Sequence, residues 1–310
     1  MPTETIRATD QVRRFIFENR PVRGHWVVLE KAWRELRAHT HYPEPVERLL
    51  GEAVAASVLL AATLKFSGTL TFQLQGNGAV SFLVAQCTHD FRLRAVARYD
   101  EEAVLALAGR RGGTSFRELA GSEGRVTVTV ESDERSTRYQ GIVPLAGESL
   151  AASLETYFAS SEQLPTRVVL AAGETQAAGI LVQKLPEPEA LVDEQPGTAA
   201  WEEAERGIGT LGSGELLTAG VEEILGAHFP RHDLRLFRGT PVLFECRCSA
   251  GRVASVLRAL GAGEIRDVLR EQGSVTVTCE FCRRPYRFDS IDIEALFTDD
   301  PGTGGSAALH

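Results

Sequence analysis

The sequence predicts an α+β fold for the larger part of the chain and a separate, much smaller unit near the carboxy terminus. Segments with alternating or β-branched residues, such as "TLTFQLQGNGAVSFLVAQC" and "GRVTVTVESD", are typical of strands, and "GNG" is typical of a hairpin turn. Other segments have apolar residues at helical spacing. Because the strands and helices do not alternate in a regular βαβ order, an α+β domain is predicted.

The longest predicted helix lies in "PEPVERLLGEAVAASVLLAATLK", which opens with Pro43 and Pro45. Its apolar positions recur at roughly helical spacing: Val46, Leu49, Leu50, Val54 and Leu60. Farther along the chain, "ESLAASLETYFASSEQL" predicts another helix and "TRVVLAAG" another strand. Residues 1–184 are therefore predicted to form one α+β core domain.

The length of the chain indicates how many domains it has, and its net charge indicates which partners it can bind. With 310 residues and a mass of 33.7 kDa, the chain is too long for one ordinary hydrophobic core, so more than one domain is expected. It has 33 Lys and Arg against 42 Asp and Glu, which gives a formal net charge of −9. Because affinity for DNA and RNA depends on neutralising phosphates, this acidic balance argues against a nucleic-acid partner.

The amino-terminal segment "MPTETIRATDQVRRFIFENR" is charged throughout and has no apolar core typical of a signal peptide. The longest nearly apolar run, "AVAASVLLAA", has about half of the ~20 residues that a membrane-spanning helix needs. A cytoplasmic protein with no membrane partner is therefore predicted. In that reducing compartment, closely spaced cysteines indicate metal binding or redox chemistry rather than permanent disulfides.

Residues 185–232 differ in composition from the segment before them. Acidic residues are frequent, whereas Arg206 is the only basic residue from 185 to 223. The part "WEEAERGIGTLGSGELLTAGVEEIL" has helical apolar spacing but several interior glycines, each of which costs a helix about 1 kcal/mol relative to alanine. We predict a metastable helical linker that folds when packed on a partner and melts when that packing is lost. On composition alone, a solvated interdomain linker is the simpler interpretation.

Residues 233–297 are predicted to form the small carboxy-terminal unit. One helix is expected in "VASVLRALGAG", a second in "GEIRDVLREQG" with its end at Gly273, and a strand in "SVTVTCEFC". The apolar residues of the first helix share one face: Val253, Val256, Leu257 and Leu260. The last residues, 298–310, have the composition of a disordered tail.

The strongest functional signal is a set of four cysteines in two close pairs, "FECRC" and "CEFC", in a chain with five cysteines. In an extended "CRC", Cys246 and Cys248 project to the same side, because side chains alternate along a strand. Cys279 and Cys282 have the usual spacing of a zinc knuckle. Two such pairs can hold one tetrahedral zinc ion per chain, although the single residue within the first pair departs from common zinc ribbons. Spacing alone leaves open whether the thiols also have a redox role.

A unit of this size buries too little apolar surface to fold stably without an additional cross-link, such as a bound metal ion. Zinc bound to thiolates supplies about 10–16 kcal/mol of apparent binding energy in small fingers. Oxidation would remove that contribution, because a disulfide does not bind zinc as thiolates do. We therefore expect the zinc-binding domain to unfold when its thiols are oxidised.

The remaining candidate residues carry weaker signals. Cys87, in "AQCTHD", is interpreted as an inert core thiol, because no second pair accompanies Cys87 and His89. His228 and His232 are interpreted as structural or surface residues, because four thiolates already fill a zinc shell. "GIGTLG" matches the dinucleotide-binding pattern, but it follows the helix-like "AAWEEAER" instead of a strand. No catalytic residue is predicted, and the protein is not expected to be an enzyme.

Several long segments of the chain are similar to one known family: "RFIFENRPVRGHWVVLE", "HYPEPVERLLGEAVAASVLLAATLKFSGTLTFQLQGNG", "RYQGIVPLAGESLAASLETYFASSEQLPTR" and "AAGILVQ". The carboxy-terminal part adds a CxC pair, thirty further residues, a CxxC pair and then "YRFDSIDI". By these segments, which cover most of the chain, the sequence resembles the redox-regulated heat-shock chaperones of 33 kilodaltons, also called 33 kDa chaperonins. The acidic linker is the least similar part.

The resemblance implies an ATP-independent holdase that protects unfolding proteins from aggregation under oxidative stress. It implies that the reduced form holds one zinc ion on Cys246, Cys248, Cys279 and Cys282. Oxidation would then form Cys246–Cys248 and Cys279–Cys282 disulfides and release the zinc. The resemblance further implies that the carboxy-terminal domain unfolds, that the linker loosens to uncover apolar surface for unfolded client proteins, and that the activated protein forms a homodimer.

Two other classes of protein remain possible from the residues alone. A nucleic-acid-binding zinc ribbon would also use four cysteines, and "CRRPYR" supplies local positive charge. A thiol–disulfide oxidoreductase would also use a CxxC pair, but normally at the start of a helix in a thioredoxin-like context. Here the pair follows a predicted strand and accompanies a second thiol pair.

Overall fold

The structure is a computed structural model. The residues that it describes are 9–109, 114–133, 138–186 and 196–298. Contacts between residues divide the chain into two compact units, with the boundary between Glu245 and Cys246. The domain boundaries predicted after residues 184 and 232 stay predictions. Residues 187–195 of the predicted linker and all but Thr298 of the predicted tail lie outside the described residues.

The first unit is built from strands and helices in no regular alternation. In chain order they are β1 (Gln11–Phe17), β2 (Val22–Leu29), α1 (Lys31–Arg37), α2 (Glu44–Thr63), β3 (Gly68–Gly76), β4 (Val80–Thr88), β5 (Arg92–Tyr99), α3 (Glu101–Ala108), α4 (Phe116–Ala120), β6 (Gly124–Ser132), β7 (Arg138–Pro144), α5 (Leu150–Tyr157) with a π-helical turn (Phe158–Glu162), β8 (Thr166–Ala172), β9 (Ala177–Lys184), α6 (Pro196–Gly209), α7 (Ser213–Thr218), α8 (Val221–His228), β10 (Leu234–Leu236), β11 (Thr240–Pro241) and β12 (Leu243–Phe244). The predicted α+β fold class, the long helix and the "GNG" hairpin are confirmed.

The described strands of the first unit form two six-stranded sheets. The order in the first sheet is β10–β1–β2–β9–β8, and β11 also pairs with β1; the order in the second sheet is β12–β5–β4–β3–β6–β7. Helix α2 packs against strands of both sheets, and its buried residues extend round its whole circumference. A helix whose residues 53–61 are all buried is stable only where it is covered on every side, so α2 forms the centre of the main core.

Helices α6, α7 and α8 cover a face of the first sheet and form a second core with it. The buried side chains of this second core are Phe15, Phe17, Val22, Trp26, Ala171, Ala178, Ile180 and Val182 from the sheet, and Ala200, Ala204, Ile208, Leu211, Leu216, Val221, Ile224, Leu225 and Phe229 from the segment of the helices. The interpretation as a solvated linker is therefore wrong for the described helices. Their glycine-interrupted sequence folds because the apolar sheet face supplies the packing partner.

The second unit is small and has its own core. Its elements are α9 (Ala250–Leu260), α10 (Ala262–Gln272), β13 (Val275–Thr278), β14 (Pro285–Phe288) and α11 (Ser290–Thr298). Strands β13 and β14 pair antiparallel, and α10 ends as predicted at Gly273, whose φ of 71° lies in the left-handed region. The buried apolar side chains of this unit are Leu257, Ile265, Val275, Phe288, Ile293 and Leu296. A core of this size leaves the unit marginal without a further constraint.

No helix in the described part of the chain is both long enough and apolar enough to span a bilayer.

Candidate metal centre

Four cysteine side chains come together in the second unit. Cys246 and Cys248 lie in the segment after β12, whereas Cys279 and Cys282 lie in the turn that joins β13 to β14. The four sulfur atoms all lie within 4.8 Å of one another. The structure therefore brings together the four residues that the sequence singled out.

Main-chain hydrogen bonds close the turn between β13 and β14. The Cys279 N–H donates to the Arg284 carbonyl at 3.0 Å, and the Arg283 N–H donates to the Cys279 carbonyl at 2.8 Å. Arg283 has a φ of 53°, in the left-handed region that a turn of this tightness requires. The turn holds Cys279 and Cys282 close enough for both sulfur atoms to reach one ion.

The sulfur separations can be compared with those of a zinc site. Cys246 Sγ lies 3.7 Å from Cys279 Sγ, and Cys248 Sγ lies 3.4 Å from Cys282 Sγ. Four Zn–S bonds of about 2.3 Å in tetrahedral geometry place the sulfur atoms about 3.8 Å apart. The quartet therefore has the size and the donor chemistry of a four-coordinate zinc site.

Tyr286, on β14, adds a hydrogen bond that the sequence analysis missed. Its hydroxyl donates to Cys248 Sγ at 3.0 Å. Burial raises the pKa of Cys248, but the hydrogen bonds from Tyr286 and from the neighbouring thiols outweigh burial and lower that pKa to about 7. The only sequence signal for Tyr286 is an aromatic residue four positions after a CxxC pair.

Burial dominates at two of the other thiols. It raises the pKa of Cys246, and it raises the pKa of Cys282 to about 12. Cys282 is 7% exposed, whereas Cys246, Cys248 and Cys279 are half-buried. Small oxidants can therefore reach the site from solvent, and Cys248 has more thiolate character than Cys246 and Cys282.

The other candidate residues lie in the first unit. Cys87, on β4, is fully buried and burial raises its pKa, which confirms the prediction of an inert core thiol. His228 Nε2 lies 2.8 Å from a Glu215 carboxylate oxygen, and His232 Nε2 lies 3.1 Å from one of Glu203. These contacts with carboxylates of the first unit agree with the structural role predicted for both histidines.

Comparison with curated proteins finds relatives along almost the whole chain. The 33 kDa chaperonin of Nitrosococcus oceani is 41% identical over 301 residues, which are 97% of this chain and 99% of the relative. The 33 kDa chaperonin of Pseudomonas paraeruginosa is 42% identical over 303 residues, with the same shares of the two chains.

Two further comparisons agree with these relatives. The crystal structure of the 33 kDa chaperonin from Thermotoga maritima matches with a TM-score of 0.77 at 22% identity, covering 93% of this chain and 97% of that one, and so shares the fold. A family model described as "Hsp33 protein" matches residues 10–289, which include all four clustered cysteines. The chain belongs to the Hsp33 protein family.

Proposed function

We propose that this chain is a redox-regulated, ATP-independent molecular chaperone, a holdase that keeps unfolding proteins from aggregating under oxidative stress. Its membership of the Hsp33 family and its relatives named 33 kDa chaperonin support the chaperone activity. The observation that supports redox regulation is the convergence of four thiols in a unit with a very small apolar core.

In the reduced protein, Cys246, Cys248, Cys279 and Cys282 would hold one zinc ion as four thiolates. The size of the quartet and its all-sulfur donor set support this assignment. By holding one ion, the four cysteines would tie the segment after β12 to the β13–β14 turn. Because the unit has few buried apolar side chains, that cross-link would provide most of its stability.

Oxidation then removes the ligands. With peroxide as the oxidant, two thiolates, two protons and one peroxide give one disulfide and two waters: the O–O bond breaks, an S–S bond forms, and the two sulfur atoms lose two electrons. The proposed disulfides are Cys246–Cys248 and Cys279–Cys282, as the family resemblance implies. Once the unit opens, closure of these short loops also costs less entropy than closure of a loop across thirty residues.

Oxidation of the second unit would affect the first unit through the helices of the second core. Helices α6, α7 and α8 cover an apolar sheet face that includes Phe15, Phe17 and Trp26. If disorder spreads from the oxidised unit into these helices, that face becomes accessible. Unfolded or partly unfolded proteins expose apolar segments that bind such a surface, and they are the proposed partners. The activated form is further proposed to be a homodimer in the cytoplasm.

Two other functions make different predictions for the same cysteines. In a thiol–disulfide oxidoreductase the CxxC pair normally begins a helix, whereas Cys279 and Cys282 lie in a β-hairpin turn. A nucleic-acid-binding zinc ribbon conflicts with the net charge of −9. Catalytic reduction of insulin disulfides would support the oxidoreductase, and a salt-dependent gel shift would support the nucleic-acid-binding protein.

The test is oxidation of the full-length protein by peroxide at mildly elevated temperature. We expect release of about one zinc ion per chain, because four thiolates complete one tetrahedral shell. Four free thiols should be lost, and the treated protein should suppress the aggregation of an unfolding client. If zinc leaves while the second unit keeps its circular dichroism and the first unit gains no activity, the proposed regulation is wrong.

A further inference from the structure

One short segment covers an edge of each sheet. We call residues 234–244, which contain β10, β11 and β12, the strap. Strands β10 and β11 pair with β1 in antiparallel fashion, and β12 pairs with β5 in parallel fashion. The opposite edges of β1 and β5 pair with β2 and β4. Among the strands that the structure describes, only those of the strap pair with the outer edges of β1 and β5.

The strap and its flanking residues satisfy main-chain groups along both edges. The bonds at the ends of the paired strands are Glu18 N–H to Asp233 O (2.8 Å), Phe237 N–H to Arg14 O (2.9 Å), Val242 N–H to Asp10 O (2.8 Å), Leu243 N–H to Phe91 O (3.0 Å) and Glu245 N–H to Leu93 O (2.9 Å). If the strap leaves, β1 and β5 present rows of unpaired donors and acceptors. Such an exposed edge is a template for another extended chain.

The strap is short and buries few of its side chains, and its side-chain bonds to the sheet include Arg13 Nε to the Phe237 carbonyl at 3.1 Å and Arg235 to Glu18 at 2.6 Å. Its strands are three, two and two residues long, and Pro241 lacks an N–H group to donate. Val242 is the only fully buried side chain within it. Segments with so few buried contacts open at a small fraction of the global unfolding free energy. The strap ends two residues before Cys246, so it is the paired segment of the first unit that lies nearest in sequence to the four cysteines.

We propose that, in the activated protein, the uncovered edges of β1 and β5 bind extended segments of unfolded polypeptides by adding them as a strand. This inference rests on the proposed holdase function and states how part of the client is held.

The chemistry of the edge favours an unfolded polypeptide as the occupant. Strand addition uses main-chain groups, which every extended segment carries, and side chains contribute only through alternate positions. On β1, Phe15 is the register partner of Leu236 and Phe17 is that of Leu234, and both leucines pack partly buried against the second core. An added strand therefore needs apolar residues at every second position but no particular sequence.

The first test asks whether the strap protects the outer edge of β1 from solvent. Hydrogen exchange of the Glu18 amide, which donates to the carbonyl of Asp233 immediately before the strap, is measured in the reduced, zinc-loaded protein. Val242→Ala should speed this exchange by about tenfold, because it removes buried methyl groups that hold the strap. The matched control is Leu243→Ala, whose side chain is 48% exposed and whose loss should leave the rate unchanged. Equal rates in both variants and the wild type would overturn the inference.

The second test asks whether clients bind by their main chain. The probe is an unfolded peptide of about ten residues with alternating apolar and polar side chains, offered to the oxidised full-length protein. Its partner probe has the same side chains but N-methyl groups at alternate residues, which remove the donors of one strand edge. The unmethylated peptide should protect the Glu18 amide and bind at least about tenfold more tightly, because two or more hydrogen bonds are lost on methylation.

The outcomes separate this inference from the proposed function. If the oxidised protein fails to suppress client aggregation, the proposed function fails and strand addition fails with it. If it suppresses aggregation but binds both peptides equally, only strand addition is overturned. If the Glu18 amide becomes protected without any peptide, in step with dimer formation, a second copy of the chain occupies the edge and the inference is likewise overturned.

Discussion

Cys248 Sγ accepts a hydrogen bond from the Tyr286 hydroxyl at 3.0 Å, and this contact distinguishes it from the other three thiols of the quartet. A hydrogen bond from an outer residue orients a metal ligand and stabilises its charged form. The hydroxyl would therefore favour the zinc-bound state, in which the Cys248 sulfur carries negative charge.

Replacement of Tyr286 by phenylalanine should weaken zinc binding by about tenfold, since the loss of a hydrogen bond from an outer residue typically costs 10–100-fold in metal affinity. The measurement is competition with a colorimetric zinc chelator. Tyr139→Phe is the matched control, because Tyr139 is an exposed tyrosine of the first unit. Equal affinity in Tyr286→Phe, Tyr139→Phe and the wild type would show that the hydroxyl does not support the site.

Cys279→Ser should lower the zinc content below one ion per chain and destabilise the second unit, because a serine hydroxyl is a poor zinc ligand. Zinc content is read by atomic absorption, and folding of the unit by hydrogen exchange of β13 and β14. Cys87→Ala is the control, since it removes the buried thiol of the first unit and leaves the quartet intact. Unchanged zinc content in Cys279→Ser would remove that residue from the proposed ligands.

His25, on β2, gives a test of pH dependence. Burial, followed by the positive charges of Arg23 and Arg14, lowers its pKa to about 3. An unfolded histidine titrates near pH 6.5, so between about pH 6.5 and pH 3 the unfolded chain binds a proton that the folded chain does not. The stability contributed by neutral His25 is thus complete above about pH 6.5 and is lost as the pH falls, at about 1.4 kcal/mol per pH unit.

His25→Gln should therefore lose about 2 kcal/mol less than the wild type when the pH is lowered from 7 to 5. Urea unfolding followed by tryptophan fluorescence reports the first unit, because Trp26, Trp33 and Trp201 all lie there. The exposed His41 provides the control substitution, His41→Gln. The assignment is wrong if all three proteins lose stability equally over this range.

At the scale of elements, α6, α7 and α8 owe their stability to the sheet face that they cover. Each helix contributes buried apolar side chains to the second core, while its glycines lower its intrinsic stability. An element of this kind is stable only as long as its packing is complete. Small losses of packing should therefore have large effects on the exposure of the sheet face.

Ile224→Ala should loosen α8 in the reduced protein, because the Ile224 side chain is fully buried in the second core and its truncation costs about 2–5 kcal/mol. We expect stronger binding of an apolar dye and partial suppression of client aggregation without oxidant. Glu223→Ala, an exposed neighbour on the same helix, should behave like the wild type. Dye binding equal in both variants would mean that α8 does not control access to the sheet face.

Elements differ in how far the sequence predicted them. The sequence predicts helix α2 and the β3–β4 hairpin correctly, because their apolar residues recur with a clear period over many residues. It also predicts the end of α10 correctly, because the glycine that ends this helix is a local signal. The strap strands were not predicted, because two or three residues carry no period. The packing of α6 to α8 on the first sheet was also missed as a specific arrangement, since the partner face comes from distant strands.

The residues of the candidate metal centre also differ in how far the sequence predicts their positions. The spacing of Cys246, Cys248, Cys279 and Cys282 predicted that they would converge, because each pair is local and a chain of thirty residues can return to it. The hydrogen bond from Tyr286 to Cys248 depends on the register between β13 and β14 and on the path of a separate segment. No local pattern encodes such a contact.

At the scale of the whole molecule, the chain consists of two units whose hydrophobic cores differ greatly in size. The first has two sheets around a long buried helix, and the second has a small core and four clustered thiols. A switch follows if the second unit is folded only while its thiolates hold an ion. The strap, at the carboxy-terminal end of the first unit, would then transmit the change.

The most direct test is a ¹H–¹⁵N correlation spectrum of the full-length, reduced protein before and after removal of zinc by a chelator. The prediction is that resonances of residues 246–298 are dispersed in the zinc-loaded protein and collapse into the narrow range of an unfolded chain when the metal is removed. Sharp, dispersed resonances from the metal-free second unit would contradict it, because the thiolate cage would then not be what keeps that unit folded.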